Sequence, residues 1–195
     1  MKMLKNGNSK LGEAIYNFNL PRSTCSCRTE LCSKYCYAKK GHFRYENVVK
    51  CFGNNLVESK QDDFVKRMNA QIIYLDCKYV RLHSSGDFYS QEYYEKWNQI
   101  AKANPDVKFL AFTRNITIDF SDRCENFIIY QSTDKTTKKT NPTLSLTANI
   151  FDEGEHPNKH MHHVKETDSY VCDSKCYKCK FCWNSKKNVS FKLRK

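Results

Sequence analysis

The 195-residue chain has no long hydrophobic run. No apolar stretch approaches the roughly 18 residues that a bilayer span requires, which excludes a transmembrane helix. Its first residues, MKMLKNGNSKLGEAIYNFNLP, contain no hydrophobic segment of the kind a secretory signal carries. No internal repeat is present. Acidic residues are scarce: Asp+Glu number 21 against 33 Lys+Arg, a formal net charge of +12. A protein this basic feels nucleic acid and other polyanions, although the excess alone names no partner. Apolar residues make up 39% and aromatics 13%, enough to bury a core, so global disorder is excluded. The expectation is a soluble, cytoplasmic protein of one domain, or of one domain with an appendage, and no membrane partner.

Cysteine is abundant instead. There are eleven, an odd number, in a chain expected to live in a reducing compartment. Disulfides are therefore not expected, and metal or redox chemistry is the better account. The thiols fall into two groups. Cys25, Cys27, Cys32 and Cys36 lie near the start, and Cys172, Cys176, Cys179 and Cys182 near the end. Cys51, Cys77 and Cys124 stand alone among apolar neighbours, where free cysteine packs as a small hydrophobe.

Between the groups the pattern alternates. Strands are expected over 14–20, 79–83, 107–113, 126–131 and 143–151. Two helical stretches fall within 45–75, with Val48, Val49, Phe52, Leu56 and then Phe64, Val65, Met68, Ile72 at helical spacing. Ser90 is the expected N-cap of a further helix whose inner stripe is Tyr93, Trp97, Ile100 and Ala101, ended by Asn104-Pro105. The polar stretch 133–141 reads as a solvated loop. Short apolar strands separated by helices suggest βα units. The expected fold is α/β, an incomplete (β/α) barrel or an open parallel sheet, with a C-terminal Cys-rich metal-binding extension. The expected division is a core over 1–155 and a basic Cys-rich segment over 156–195, packed on it. Ligands in such folds sit at the carboxyl ends of the strands. The first cysteine loop, Ser84-Ser85-Gly86-Asp87, Arg114-Asn115, Ser132-Thr133 and Asp152-Glu153 should then share one rim.

The late run, Cys172 to Cys182, is too tight for the usual zinc ribbon and suits an iron–sulfur cluster, with zinc as the alternative. In the early group Cys25, Cys32 and Cys36 are the expected ligands of a 4Fe–4S cluster with one iron left open, Cys27 being a spare or an alternate ligand. A small zinc knot is the alternative reading. Small residues at 84–86 let a ligand approach the backbone, and Asp87 can take up an ammonium group; a plain turn is the simpler account. Asp87 and His83 are the candidate acid–base residues. Ser84, Ser85, Gly86, Asp87, Arg114 and Asn115 are the candidate cofactor-binding set. His156, His160, His162 and His163 crowd one acidic loop that could ligate metal or simply be solvated. Residues 159–195 hold ten basic against three acidic side chains, interleaved with Tyr170, Tyr177, Phe181, Trp183 and Phe191. That segment suits nucleic acid, or is a basic tail whose aromatics pack around a metal knot.

The order strand, cysteine loop ending Cys36-Tyr37-Ala38, strand with a Gly-acid turn, helix, then strand ending Thr113-Arg114-Asn115 resembles the first half of radical S-adenosylmethionine enzymes. The resemblance implies an S-adenosylmethionine site in which Cys25, Cys32 and Cys36 ligate the cluster and Gly86-Asp87 is the amino-group turn. The spacing departs from that family, whose triad is C-x3-C-x2-C. Over most of the chain, RLHSSGDFYSQEYYEKWNQIAK, VKFLAFTRN, the early cysteines and the late run ending Cys182-Trp183 resemble the phage and mobile-element "gene product eighty-eight" domain family. That resemblance implies a mobile-element origin and, if phage-encoded, residence in the host cytoplasm. The expected function is an iron–sulfur protein with a radical-SAM-like core, served by an electron donor. The rivals are a zinc-stapled nucleic-acid-binding protein and a non-enzymatic iron–sulfur protein acting on a host or phage partner.

Overall fold

The computed structural model describes residues 2–152 and 169–193. Its elements in chain order are β1 (Lys5–Asn6), β2 (Ile15–Phe18), α1 (Glu30–Lys34), α2 (Glu46–Ser59), α3 (Phe64–Tyr74), β3 (Tyr79–Leu82), α4 (Gln91–Ala103), β4 (Lys108–Thr113), β5 (Phe127–Thr133), β6 (Thr147–Phe151), β7 (Tyr170–Val171), α5 (Cys176–Cys179), α6 (Phe181–Asn184) and β8 (Val189–Lys192). The strands form one sheet in the order β1-β2-β3-β4-β5-β6-β8-β7. Among the described residues only the β1–β2 pairing is antiparallel. Strands β2 to β6 therefore lie side by side in chain order, and their carboxyl ends share one edge. The sheet does not close: β1 and β7 are its two margins.

Alternation along the strands feeds two cores. Val80, Leu82, Phe109, Ala111, Phe127 and Ile129 pack with Phe64, Met68, Tyr93, Trp97 and Ile100 of the helices. The residues between them, Leu110 and Tyr130, face the other way with Ile15, Ala148 and Val189, and there they meet Cys182 and Trp183. The expected α4 is present: the Ser90 side chain accepts from the Tyr93 amide, and Tyr93, Trp97, Ile100 and Ala101 are buried.

Three expectations need correction. The C-terminal segment is not an appendage on a finished core. It supplies β8, which pairs with β6, and its α6 fills the second face of the sheet. The stretch 133–141 is not wholly solvated, because Thr133, Asp134 and Asn141 at its ends are buried. The strand expected over 143–151 begins only at Thr147; before it Thr143 closes a turn, its amide and hydroxyl both donating to Asn141 Oδ1. The histidine loop, His156 to His163, and Glu153 lie outside the described residues. Among the described residues no helix is long and apolar enough to cross a membrane.

Candidate functional site

The rim is stitched together by polar side chains. Asn19, just past β2, accepts at Oδ1 from the Ser84 amide at 2.7 Å and the Ser85 amide at 3.3 Å. The Leu20 amide donates to the Ser85 carbonyl. Thr24 Oγ1 accepts from the Asp87 amide at 3.1 Å. Gly86 lies in this seam with φ 85°, and a Cβ there would meet Leu20 Cβ at 2.5 Å and Thr24 Oγ1 at 2.8 Å. Gly86→Ala should therefore lose about 1–3 kcal/mol in urea unfolding, from the left-handed backbone and the clash together. An unchanged midpoint would show that the two loops are not pressed together here.

Asp87 is the latch between β3 and β4. Its Oδ1 accepts from the Phe88 amide at 2.8 Å and from Thr113 Oγ1 at 2.6 Å, and its Oδ2 from the Arg114 amide at 2.9 Å. Burial raises its pKa to about 6, against the lowering effect of those donors. Asn115 is also inward, with Nδ2 donating to the Phe88 carbonyl. His83 has left-handed backbone (φ 61°), hydrogen-bonds Tyr93 Oη through Nε2 at 2.9 Å and packs edge-on against Phe88. Burial, and secondarily the charge of Arg81, lower its pKa to about 3, so it is neutral at ordinary pH.

The early thiols Cys25, Cys32 and Cys36 lie within electrostatic reach of one another at this rim. Burial pushes the Cys25 thiol up to about 12; Asp87, Cys32 and Cys36 add to the rise and Arg28 opposes it. Burial also raises Cys32, while the charge of the Arg114 guanidinium lowers it. Arg114 in turn pairs with Asp134 at 2.8 Å, and Asp134 accepts from Thr29 Oγ1 at 2.6 Å. Thr29 caps α1, accepting from the Cys32 amide. The helix that carries Cys32 is thus fastened to the end of β5. Cys27 shows no part in this convergence: its sulfur contacts Ser26 Oγ at 3.7 Å.

The late thiols lie over the same sheet on its second face. Cys172, Cys176, Cys179 and Cys182 line a small recess with Tyr170, Phe181 and Trp183. Burial raises Cys182 to about 12. Arg81 stacks on Phe112 at 4.1 Å and lies within electrostatic reach of Tyr37 as well as Cys176, Cys182 and Cys172. Arg81, Tyr37, Thr29 and Asp134 were not legible as site residues, because no local motif marks them. Among the described residues no three His, Cys, Asp or Glu side chains are close enough to hold one metal ion between them. A metal-binding extension is accordingly not shown.

Comparison with known proteins follows the same direction as the sequence. The family described as "Gene product 88" matches residues 2–185. The "Gene 88 protein" of Mycobacterium phage L5 is 26% identical, over 98% of this chain and 92% of its own length. The protein of the same name from Mycobacterium phage D29 is 25% identical over the same shares. No solved structure matches the chain.

Proposed function

The chain belongs to the gene product 88 family of phage proteins, and on that premise we propose that it is an iron–sulfur protein whose rim thiols Cys25, Cys32 and Cys36 hold a 4Fe–4S cluster. The observation that carries the reading is that these three thiols follow β2 in one loop at the carboxyl edge of the sheet, within electrostatic reach of one another and beside Arg114 and Arg28. The donor set fits. It is soft and sulfur-only, and buried thiols with raised pKa values need nearby positive charge before they ionise. The irons would provide that charge, and the two arginines offset what remains negative. A single tetrahedral zinc with bonds of about 2.3 Å needs its sulfurs within about 4 Å of each other. A cubane hands each thiolate its own iron and asks for less closeness.

When bound, such a cluster supplies one-electron transfer and, with three thiolates, leaves one iron open to an outside ligand. The rim fits the cluster better than it fits S-adenosylmethionine. The Asp87 carboxylate already accepts three bonds from its own chain, so it is not set to receive an amino group. His83 is neutral and packed among Phe88 and Tyr93, which suits a structural role better than proton transfer. We assign Asp87, Gly86 and Asn115 to positioning the cysteine loop.

Protein purified without oxygen should contain about four irons and four acid-labile sulfides per chain for one cluster, or about eight for two. Cys32→Ser should remove the rim complement. Stoichiometric zinc without iron or sulfide would overturn the proposal. Incubation with dithionite and S-adenosylmethionine should release no 5′-deoxyadenosine; its release would restore the radical-SAM reading.

A second reading of the late group is favoured by its burial. Cys182 and Trp183 belong to the core on the second face of the sheet, so metal there would act as a staple, iron–sulfur or zinc. Cys176→Ala should then cost metal and solubility together, because binding energy at such a site is folding energy. Equal metal content and an equal melting temperature would defeat that expectation.

A further inference from the structure

The basic C-terminal segment is the expected nucleic-acid surface, but four of its five rings are already packed and only Tyr177 is exposed, at 40%. Phe181 stacks on Tyr170 at 4.1 Å, Phe191 packs edge-on against Phe112 at 5.5 Å, and Trp183 is buried. The rim loop is different. Residues 22–50 hold seven Lys and Arg against two acids, Glu30 and Glu46. Lys34, Lys39, Lys40, Arg44 and Lys50 are exposed, and none of them is in an ion pair among the described residues. Lys96 and Arg67 behave otherwise: Lys96 answers Glu92, and Arg67 answers Asp63.

Aromatic surface lies among these charges. Tyr37 is 57% exposed and Tyr45 62% exposed. Between them Phe43 touches Tyr37 at 5.6 Å and Phe52 at 6.1 Å, with His42 against it at 4.3 Å. Two short 3-10 turns, Tyr37–Lys39 and Gly41–Arg44, set this ledge. It is fixed to the rim, since Tyr37 Oη donates to the Ser84 carbonyl at 2.6 Å. Large exposed rings cost free energy in water unless something covers them. A partner with phosphates for the lysines and free planar faces for the tyrosines is an unpaired strand, because a duplex keeps its base faces stacked inside.

We propose that residues 37–45, flanked by Lys34 and Lys50, bind single-stranded nucleic acid across the mouth of the rim thiol site. The proposal goes beyond the iron–sulfur reading and does not depend on it.

The test is fluorescence anisotropy on the full chain with labelled dT15 and rU15, a duplex of equal length, and polyglutamate as competitor. Either single strand should bind, and the tighter of the two names the nucleic acid. Contact with four or five phosphates gives a slope of log affinity against log salt of about −3. Lys40→Glu/Arg44→Glu should weaken binding at least tenfold and make that slope shallower by about one. Tyr45→Ala should weaken binding about tenfold and leave the slope unchanged. Lys186→Glu/Lys187→Glu in the C-terminal segment should change affinity by less than about threefold. All of these positions are exposed, so circular dichroism should be unaltered. Wild-type affinity in the rim variants would overturn the proposal. So would a duplex or polyglutamate that binds as tightly as a single strand, or a loss carried by the C-terminal variant. Iron content measured on the same samples separates this result from the iron–sulfur reading: strands bound by iron-free protein leave the surface intact and remove the cluster.

Discussion

Asp134→Ala should cost about 3–5 kcal/mol of folding free energy. Asp134 is fully buried, pairs with Arg114 Nη2 at 2.8 Å, and accepts from Thr29 Oγ1 at 2.6 Å, the Thr136 amide at 2.8 Å and Thr136 Oγ1 at 2.6 Å. Burial pushes its carboxyl up, but Arg114 and the Thr136 and Thr29 donors outweigh that and hold it below the usual carboxylate range. Removing the carboxylate leaves the Arg114 guanidinium buried without a counter-charge, which is the expensive half of the change. It also frees Thr29, the cap of the helix that carries Cys32. The exposed pair Lys78–Asp76 is the control: Asp76→Asn should leave the urea midpoint almost unchanged, because water and salt screen it. Urea unfolding of both variants decides the matter. A loss below about 1 kcal/mol for Asp134→Ala would show that Arg114 finds water or another acceptor. With iron removed, the same variant should alkylate faster at Cys32 than the equally iron-free wild type does.

The second large effect is on stability against pH. His83 has a folded pKa of about 3 against an ordinary 6.5, so below pH 6.5 the unfolded chain binds the extra proton. Stability from this group is complete above 6.5 and is lost as pH falls, at about 1.4 kcal/mol per pH unit. Asp87 has the opposite sign. Its folded pKa is about 6 against 3.8, so its contribution is complete below 3.8 and is lost as pH rises towards 6. Between pH 6 and 4 the two slopes oppose each other and stability should be nearly flat. Below 4 Asp87 no longer compensates, while Asp134, held low by Arg114, begins to lose its charge. Stability should then fall steeply. His83→Phe removes one arm, and its stability should rise by about 2 kcal/mol from pH 6 to pH 4. A wild-type curve that falls evenly through this window would mean that Asp87 is ionised at pH 5 in the folded protein. A flat curve for His83→Phe would mean the same.

Much of the rim was legible because it is local. Ser90 with Tyr93, Trp97, Ile100 and Ala101 states a capped amphipathic helix within twelve residues. Apolar runs such as 107–113 state buried strands, and the turns that follow them must lie at strand ends. The cysteine positions needed no fold to be noticed. The phage family was legible in the same way, from contiguous segments.

What the tertiary structure alone decided lies between residues far apart in the chain. Thr29 and Asp134 stand 105 positions apart, and no periodicity connects them. Tyr37 and Ser84, or Arg81 and Cys176, are likewise joined only because neighbouring parallel strands deliver their loops to one edge and one face. Strands of two residues, β1 and β7, are too short to carry an alternating pattern. β8 sits in a polar, cysteine-rich neighbourhood that masks four strand residues. The amino acids therefore determined which groups are present and which segments bury their faces. The sheet determined which groups meet, because hydrogen-bonded register between distant strands is a property of the packed chain and not of any window along it.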